Sequence, residues 1–222
     1  METKKNQNKI VLVDDHPIVV QGLSELINQH EDLVVCATAE NAVEALKAIQ
    51  ELNPDLVIVD LTLKDCHGLE LIESIRLRWS NLFILVLSMH DESLFAKRCL
   101  RAGARGYIMK QEATENVVAA IDKVLGGQVY VSQEMATKMV GNLVGGKTES
   151  ATYLIDRLSD REVEVFRLIG QGHGTREIAQ KLHLSIKTIE TYRAHIKEKL
   201  NLSSAGEMLR YAIQWTKSLE RG

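Results

Sequence analysis

From Lys9 to Leu125 the chain alternates short, continuous apolar runs with longer stretches whose apolar residues recur at helical spacing. The runs are Lys9-Ile10-Val11-Leu12-Val13, Leu33-Val34-Val35-Cys36-Ala37, Leu56-Val57-Ile58-Val59, Leu82-Phe83-Ile84-Leu85-Val86-Leu87 and Gly106-Tyr107-Ile108-Met109. Short runs of this kind, rich in Val and Ile, predict strands buried on both faces, as in a parallel sheet. Between them, 17–29 sets Ile18, Val19, Leu23, Leu26 and Ile27 on one helical face, and 41–52 does the same with Ala42, Val43, Leu46 and Ile49. Further amphipathic stretches occupy 69–79, 93–102 and 113–125. Five strand-helix units in succession predict a doubly wound, five-stranded parallel α/β domain. Asn53-Pro54 and Ala102-Gly103 supply helix stops.

Beyond Val131 the pattern changes. Residues 132–144 carry Met135, Met139, Val140 and Leu143 at helical spacing, and Gly145-Gly146-Lys147-Thr148-Glu149-Ser150 reads as a flexible linker. From Leu158 onward everything is helical. Ser159 and Glu162 form a capping box ahead of Val163, Val165, Phe166 and Ile169, and Gly170-Gln171-Gly172 stops that helix. Thr175–Leu182 makes a short helix, His183-Leu184 turns, Ser185 caps a third helix running to Leu200, and 204–217 makes a last one. A short helix, a tight turn and a cationic third helix predict a helix-turn-helix. The expected organisation is therefore an α/β domain over 8–127, a linker helix and flexible linker over 128–155, and a small all-α domain over 156–219.

Net charge is −3, but it is unevenly divided. Residues 1–150 hold 15 Lys+Arg against 21 Asp+Glu, whereas 151–222 hold 12 against 9, so any nucleic-acid contact belongs to the C-terminal part. A surplus of three positive charges gives a weak phosphate attraction from one copy, so useful DNA affinity implies a dimer on paired half-sites. The three cysteines, Cys36, Cys66 and Cys99, are widely spaced and suggest no disulfide framework. Cys66, close to Asp60, reads as a plain thiol. Met1–Asn8 lacks the apolar core of a signal peptide, and no apolar run approaches the roughly 18 residues of a membrane span. A reduced, cytoplasmic location without membrane contact is expected.

Four predicted strands end on residues suited to a phosphoryl group: Asp14-Asp15, Asp60, Ser88 and Lys110. A parallel sheet gathers the carboxyl ends of its strands at one edge, where open α/β folds place their sites. Asp60, at the end of a central strand, is the expected nucleophile, since a carboxylate accepts phosphoryl to give an acyl phosphate. Asp14, Asp15 and Asp60 together suit Mg2+. Lys110 would pair with phosphoryl oxygens, and the Ser88 hydroxyl would bond one of them after transfer. Tyr107 is a candidate for a two-position packing switch. Each residue taken singly has a plainer reading: the Asp pair as a turn or helix cap before Pro17, Lys110 as a solvated loop lysine, Ser88 as an N-cap, Tyr107 as core.

The residues Ile10-Val11-Leu12-Val13-Asp14-Asp15-His16, Asp60-Leu61 with Gly68 downstream, Leu87-Ser88 and Gly103-Ala104-Arg105-Gly106-Tyr107-Ile108-Met109-Lys110 resemble a two-component response-regulator receiver domain over about 8–127. The resemblance implies that Asp14, Asp15, Asp60 and the Thr62 backbone carbonyl hold Mg2+. It also implies that Asp60 takes phosphate from a sensor histidine kinase, that Ser88, Tyr107 and Lys110 relay its presence, and that Thr62 and His90 flank the phosphoryl group and set its lifetime. Receivers usually carry Pro where Lys64 stands and often Asp where His67 stands. The C-terminal residues Leu158-Ser159-x-Arg161-Glu162, Gly172, Glu177-Ile178-Ala179, Leu182, Ser185, Thr188-Ile189-Glu190, Ile196 and Lys199-Leu200 resemble the LuxR-type helix-turn-helix joined to receivers in the NarL/FixJ class. That likeness puts Lys187, Thr188, Thr191, Arg193, Ala194 and Lys197 on or beside the DNA-facing helix. Glu190 is expected to pair with Arg193 or Arg176, the alternative being acceptance from a cytosine amine. Leu209 and Ile213 are candidates for a dimer contact or, equally, for the small domain's own core.

The functional expectation is a transcription factor, not an enzyme, that accepts phosphate on Asp60 from a sensor histidine kinase and binds double-stranded DNA as a homodimer. Phosphorylation would draw Ser88 and Tyr107 inward and free DNA binding from a masked state. Two other classes remain open. Aspartyl phosphohydrolases show Asp-x-Asp after the first strand, unlike the adjacent Asp14-Asp15, and no cap region is visible; a pure interaction adaptor would lack DNA affinity. Gly141–Thr148 satisfies GxxxxGK[ST], but it follows a helical pattern rather than a strand and so lacks the context of a phosphate loop.

Overall fold

The computed structural model describes residues 7–63, 68–144, 155 and 157–220. Five strands, β1 (Asn8–Val13), β2 (Leu33–Ala39), β3 (Leu56–Asp60), β4 (Phe83–Ser88) and β5 (Gly106–Met109), form one parallel sheet in the order β2-β1-β3-β4-β5. Helices α1 (Pro17–Asn28), α2 (Ala42–Leu52), α3 (Gly68–Arg78), α4 (Glu92–Ala102) and α5 (Ala113–Leu125) alternate with them, and α6 (Gln133–Val144) follows. The doubly wound expectation holds, with β2 two residues longer than its apolar run. Asn53 and Gly103 end α2 and α4 in left-handed conformations, as the stop signals imply.

Alternation along the strands divides the core into two layers. Ile10, Leu12, Leu56, Ile58, Leu85, Leu87 and Ile108 form a buried cluster with Leu23 and Ile27 of α1 and Val117, Ile121 and Val124 of α5. The opposite parity, Val11, Val13, Val57, Val59, Ile84, Val86 and Tyr107, is equally buried. Ser88 and Tyr107 therefore share a sheet face while their strands are adjacent and in register through Val86↔Tyr107. Two residues of the expected helical faces are not buried: Ile18 is 87% and Val43 75% exposed. Both stand on the solvent sides of their helices. The core is reached through Leu23 and Ile27 of α1 and Ala45 and Ile49 of α2.

The chain divides into two compact units between Thr137 and Lys138, inside α6 and within the expected linker region. The second unit contains α7 (Asp160–Gly170), α8 (Thr175–Lys181), α9 (Ile186–Lys199) and α10 (Ala205–Glu220). Their shared core includes Val163, Phe166, Ile169, Ile178, Ile189, Ile196, Leu200, Met208 and Ala212. Phe166 packs against Tyr211 and Trp215 at ring-centroid distances of 5.8 and 5.5 Å. Gly141–Val144 is helical, contrary to a phosphate loop, and the remaining residues of that pattern, like Lys64, Cys66 and His67, lie outside the described residues.

The Ser159 capping box opens α7: Ser159 Oγ accepts from the Glu162 amide at 3.4 Å, and Glu162 Oε2 accepts from the Ser159 amide at 2.7 Å. Glu162 does more than cap. Lys199, the last residue of α9, donates to the same Oε2 at 2.7 Å, and His195 Nδ1 lies 3.7 Å from Oε1. Burial by itself would push this carboxyl up, but the bonds from Lys199 and Ser159 outweigh it and hold it below the usual range. Glu162→Gln keeps the cap and loses the charge, so it is expected to destabilise the second unit by about 1–3 kcal/mol at neutral pH. Because the folded-state value is depressed, that deficit persists above the ordinary carboxylate range and vanishes as pH falls through the folded value. Denaturant unfolding followed by Trp215 fluorescence in a Trp79→Phe background measures it.

Candidate functional site

β1 and β3 are neighbours in register, Val13 opposite Val59, so Asp14 and Asp60 leave the sheet side by side. β4 and β5 then bring Ser88 and Lys110 to the same edge. Gly68 starts α3 close against the end of β3: a Cβ there would lie 2.5 Å from Leu61 Cα and 2.6 Å from the Asp60 carbonyl oxygen. The four strand ends predicted to converge do so. The Lys110 side chain is 7% exposed rather than solvated, the N-cap of α4 is Asp91 rather than Ser88, and α1 is capped by His16 without a side-chain bond, while the turn reading of Asp14 holds beside its place in the pocket: its Oδ1 accepts from the His16 amide at 2.9 Å.

Asp14, Asp15 and Asp60 are all buried, at 5%, 8% and 2% exposure. Lys110 Nζ lies 2.6 Å from Asp14 Oδ2 and 2.7 Å from Asp60 Oδ2, while the Thr62 amide donates to Asp60 Oδ1 at 3.2 Å. Burial raises the Asp60 carboxyl despite Lys110. Desolvation alone would lower the Lys110 ammonium, yet Asp60 and Asp14 more than offset it and hold it raised. Three buried carboxylates face one lysine, and their oxygens are hard donors lying, with His16, within 4.8 Å of one another. The donor set fits a divalent metal ion. His16, at the pocket mouth, was given no role by sequence reasoning. Its Nδ1 lies 3.0 Å from Asp14 Oδ1 and 2.8 Å from Asp15 Oδ1, and its position directly after the acid pair was the available signal.

On the β4 side, His90 is the hub. Its amide donates to Ser88 Oγ at 3.1 Å, its carbonyl accepts from the Tyr107 hydroxyl at 2.8 Å, and its Nε2 lies 3.0 Å from Thr62 Oγ1. Its ring packs on Phe95, with centroids 4.7 Å apart. Tyr107 is 1% exposed. Burial pushes its hydroxyl far up, against a small opposing effect of a bond with Ser88. The expected inward swing of Tyr107 thus has no outward starting point here, because the His90 carbonyl already gives the phenol a buried partner.

On the C-terminal unit, α9 buries Ile189 and Ile196. At about 100° per residue from those two, Lys187, Glu190, Thr191 and Ala194 lie toward the opposite side, Thr188 and Lys197 fall at its margins, and Arg193 lies toward the core side. Burial agrees: Lys187, Glu190, Thr191, Ala194 and Lys197 are exposed, Thr188 and Arg193 half-buried. Desolvation lowers the Arg193 guanidinium. Thr188 is also engaged in the Ser185 cap, its amide donating to Ser185 Oγ at 3.0 Å. The expected pairing of Glu190 with Arg193 or Arg176 is absent: among the described residues Glu190 forms no ion pair, since Arg193 turns toward the core side of the helix. Leu209 is 40% exposed and Ile213 half-buried, while Met208 and Ala212 fill the core. Among the described residues no helix is long and apolar enough to cross a membrane.

Comparison with known proteins matches a family to each unit. Residues 10–122 match the response regulator receiver domain, and residues 156–212 match the bacterial regulatory proteins of the luxR family. The chain is 37% identical over 210 residues to the oxygen regulatory protein NreC of Staphylococcus carnosus, covering 93% of this chain and 97% of the relative. Among solved structures, it is similar to a LuxR-family two-component response regulator from Aurantimonas at 37% identity, covering 63% of this chain and 99% of that one with a TM-score of 0.58. It is also similar to Salmonella enterica RcsB bound to the promoter rprA in the presence of a phosphomimetic, at 28% identity, 93% and 98% coverage and a TM-score of 0.58. The two matched segments, the near full-length likeness and the strand-edge pocket lead to one assignment: the chain belongs to the LuxR-family response regulators, a receiver domain joined to a helix-turn-helix DNA-binding domain.

Proposed function

We propose that the chain is a cytoplasmic, phosphorylation-controlled transcription factor in which Asp60 accepts phosphate from a sensor histidine kinase and the C-terminal domain binds DNA as a homodimer. The observation that carries this reading is the junction of Asp60 and Lys110 in a buried acidic pocket. In the transfer, an Asp60 carboxylate oxygen forms a bond to phosphorus as the P–N bond of the donor phosphohistidine breaks. Lys110, already 2.7 Å from Asp60 Oδ2, is placed to neutralise phosphoryl oxygens. Mg2+ held by Asp14, Asp15, Asp60 and the Thr62 carbonyl would supply the remaining positive charge. Ser88, Tyr107 and Lys110 sense the product: a Ser88 hydroxyl turned toward the phosphoryl group gives up the His90 amide, whose residue also holds Tyr107, so the event is an exchange of hydrogen-bond partners around a ring that stays buried. Thr62 and His90, bonded to each other beside Asp60, are placed to govern water access and phosphoryl lifetime. The receiver occupies about 8–127, the linker 128–155 and the DNA-binding domain 156–219. Leu209 and Ile213 on α10 are the proposed dimer contacts, Leu209 being too exposed to serve the core alone.

With Mg2+ and beryllofluoride, the wild type is expected to double in light-scattering mass and to retain genomic DNA fragments, and Asp60→Asn to do neither. Binding of DNA by both proteins regardless of donor would sink the phospho-switch. Removing one metal ligand by Asp15→Asn is expected to weaken Mg2+ binding by calorimetry at least as much as loss of an outer-shell partner does, roughly 10–100-fold.

Lys187, Thr188, Thr191, Arg193, Ala194 and Lys197 are the proposed DNA contacts. Glu190, exposed on the same side as Lys187, Thr191 and Ala194, is suited to accept from a cytosine amine in the major groove. Selection of bound sites from random DNA is expected to show one C preference per half-site that Glu190→Lys abolishes, a discrimination of about 1–3 kcal/mol. An unchanged preference would return Glu190 to a solvated role.

A further inference from the structure

We propose that Glu92 is a positioning residue that couples the phosphoacceptor pocket to the start of α6; this rests on the reading of Asp60 as the phosphoacceptor. Glu92 lies in the first turn of α4, two residues after His90, and its Oε1 accepts from the Ser132 amide at 2.8 Å. Ser132 is the residue that starts α6. Its Oγ accepts from the Met135 amide at 3.1 Å and its carbonyl from the Ala136 amide at 2.9 Å. A run of bonded groups therefore extends from Asp60 through the Thr62 amide, the Thr62 and His90 side chains and the first turn of α4 to the cap of α6.

The start of α6 has a second attachment of a different kind. Tyr130 bridges in parallel to Gly106: the Tyr107 amide donates to the Tyr130 carbonyl and the Tyr130 amide to the Arg105 carbonyl, each at 2.9 Å. Gly106 permits this approach, since a Cβ there would meet Leu85 Cδ1 at 2.7 Å and the Tyr130 carbonyl oxygen at 3.1 Å. One attachment is thus to the edge of a buried sheet, which close packing holds rigid. The other is to the helix turn whose neighbour His90 senses the pocket. Only Val131 separates them.

This arrangement makes a lever. Tyr130 is the fixed point, and the Glu92–Ser132 bond is the movable one. A shift of the β4–α4 loop on phosphorylation carries the Glu92 carboxylate with it and changes the hold on the first turn of α6, the helix that continues in sequence toward the DNA-binding domain. Acceptance from a backbone amide is directional, whether by a carboxylate or an amide oxygen, so a small displacement is enough to make or break it. A purely local role is the competing account, with Glu92 as an acidic residue favouring the N-terminus of α4. The two differ in what Gln does: it keeps the acceptor oxygen and loses the charge.

The test is amide hydrogen exchange on the full chain, wild type, Glu92→Ala and Glu92→Gln, with and without Mg2+ and beryllofluoride, alongside DNA retention. In wild type and Glu92→Gln, the donor is expected to alter exchange both in 88–92 and in the first turn of α6. In Glu92→Ala, 88–92 still responds, which shows a folded and loaded receiver, while the response in α6 and the donor dependence of DNA retention fall by about fivefold or more. An undiminished α6 response in Glu92→Ala overturns the coupling. Equal loss in Ala and Gln overturns it in favour of the local charge role. No response in the wild type, even in 88–92, overturns the Asp60 reading and the coupling together.

Discussion

Everything in the receiver depends on one electrostatic constraint: three carboxylates buried at the end of a parallel sheet with a single buried lysine among them. In water such a cluster is harmless. Under cover of the helices, burial favours the neutral form of the Asp60 carboxyl, and Lys110 relieves only part of that penalty. The pocket is therefore predisposed toward a divalent cation and sensitive to any further charge placed on Asp60. The proposed phosphoryl group on Asp60 would add negative charge beside Asp14 and Asp15, and Lys110 and the neighbouring donors would have to answer it.

The hydrogen bonds beside the pocket are shared among neighbours. Ser88 Oγ already serves the His90 amide, Tyr107 is tied to the His90 carbonyl, and Thr62 meets the His90 ring. One loop residue thus holds backbone and side-chain contacts with Ser88, Tyr107 and Thr62 around the pocket. The rigid elements on either side matter as much. β4 and β5 fix Ser88 and Tyr107 on a common face, and Gly68 brings the first turn of α3 against the end of β3. The site is polar and adjustable within a frame that is apolar and close-packed.

The C-terminal unit repeats the principle with a milder charge problem. Glu162 is buried, but it caps its own helix and receives Lys199 from the end of α9, so its charge is answered locally. The consequence is orientation: α9 is tied to α7 at one end by an ion pair and along its length by Ile189 and Ile196. A helix held in that way presents a defined row of side chains, from Lys187 to Lys197, on its open side.

The fold and the reactive strand ends were legible from the residues alone, because apolar runs, helical periods, caps and stops are local signals. A run such as Leu56–Val59 ending on Asp60 carries both its strand and its chemistry within a few positions. The capping box at Ser159 and the turn at His183 are legible for the same reason. Tertiary structure alone decided which apolar residues are buried, as Ile18 and Val43 show, since exposure depends on where a helix meets the sheet. It decided that Glu190 stands apart from Arg193, and that His16 joins the acid pair. It also decided that Tyr107 is already inward and that Glu92 reaches Ser132 across 40 positions. Each of these turns on the direction of a side chain relative to a distant element, and sequence spacing alone does not encode that direction.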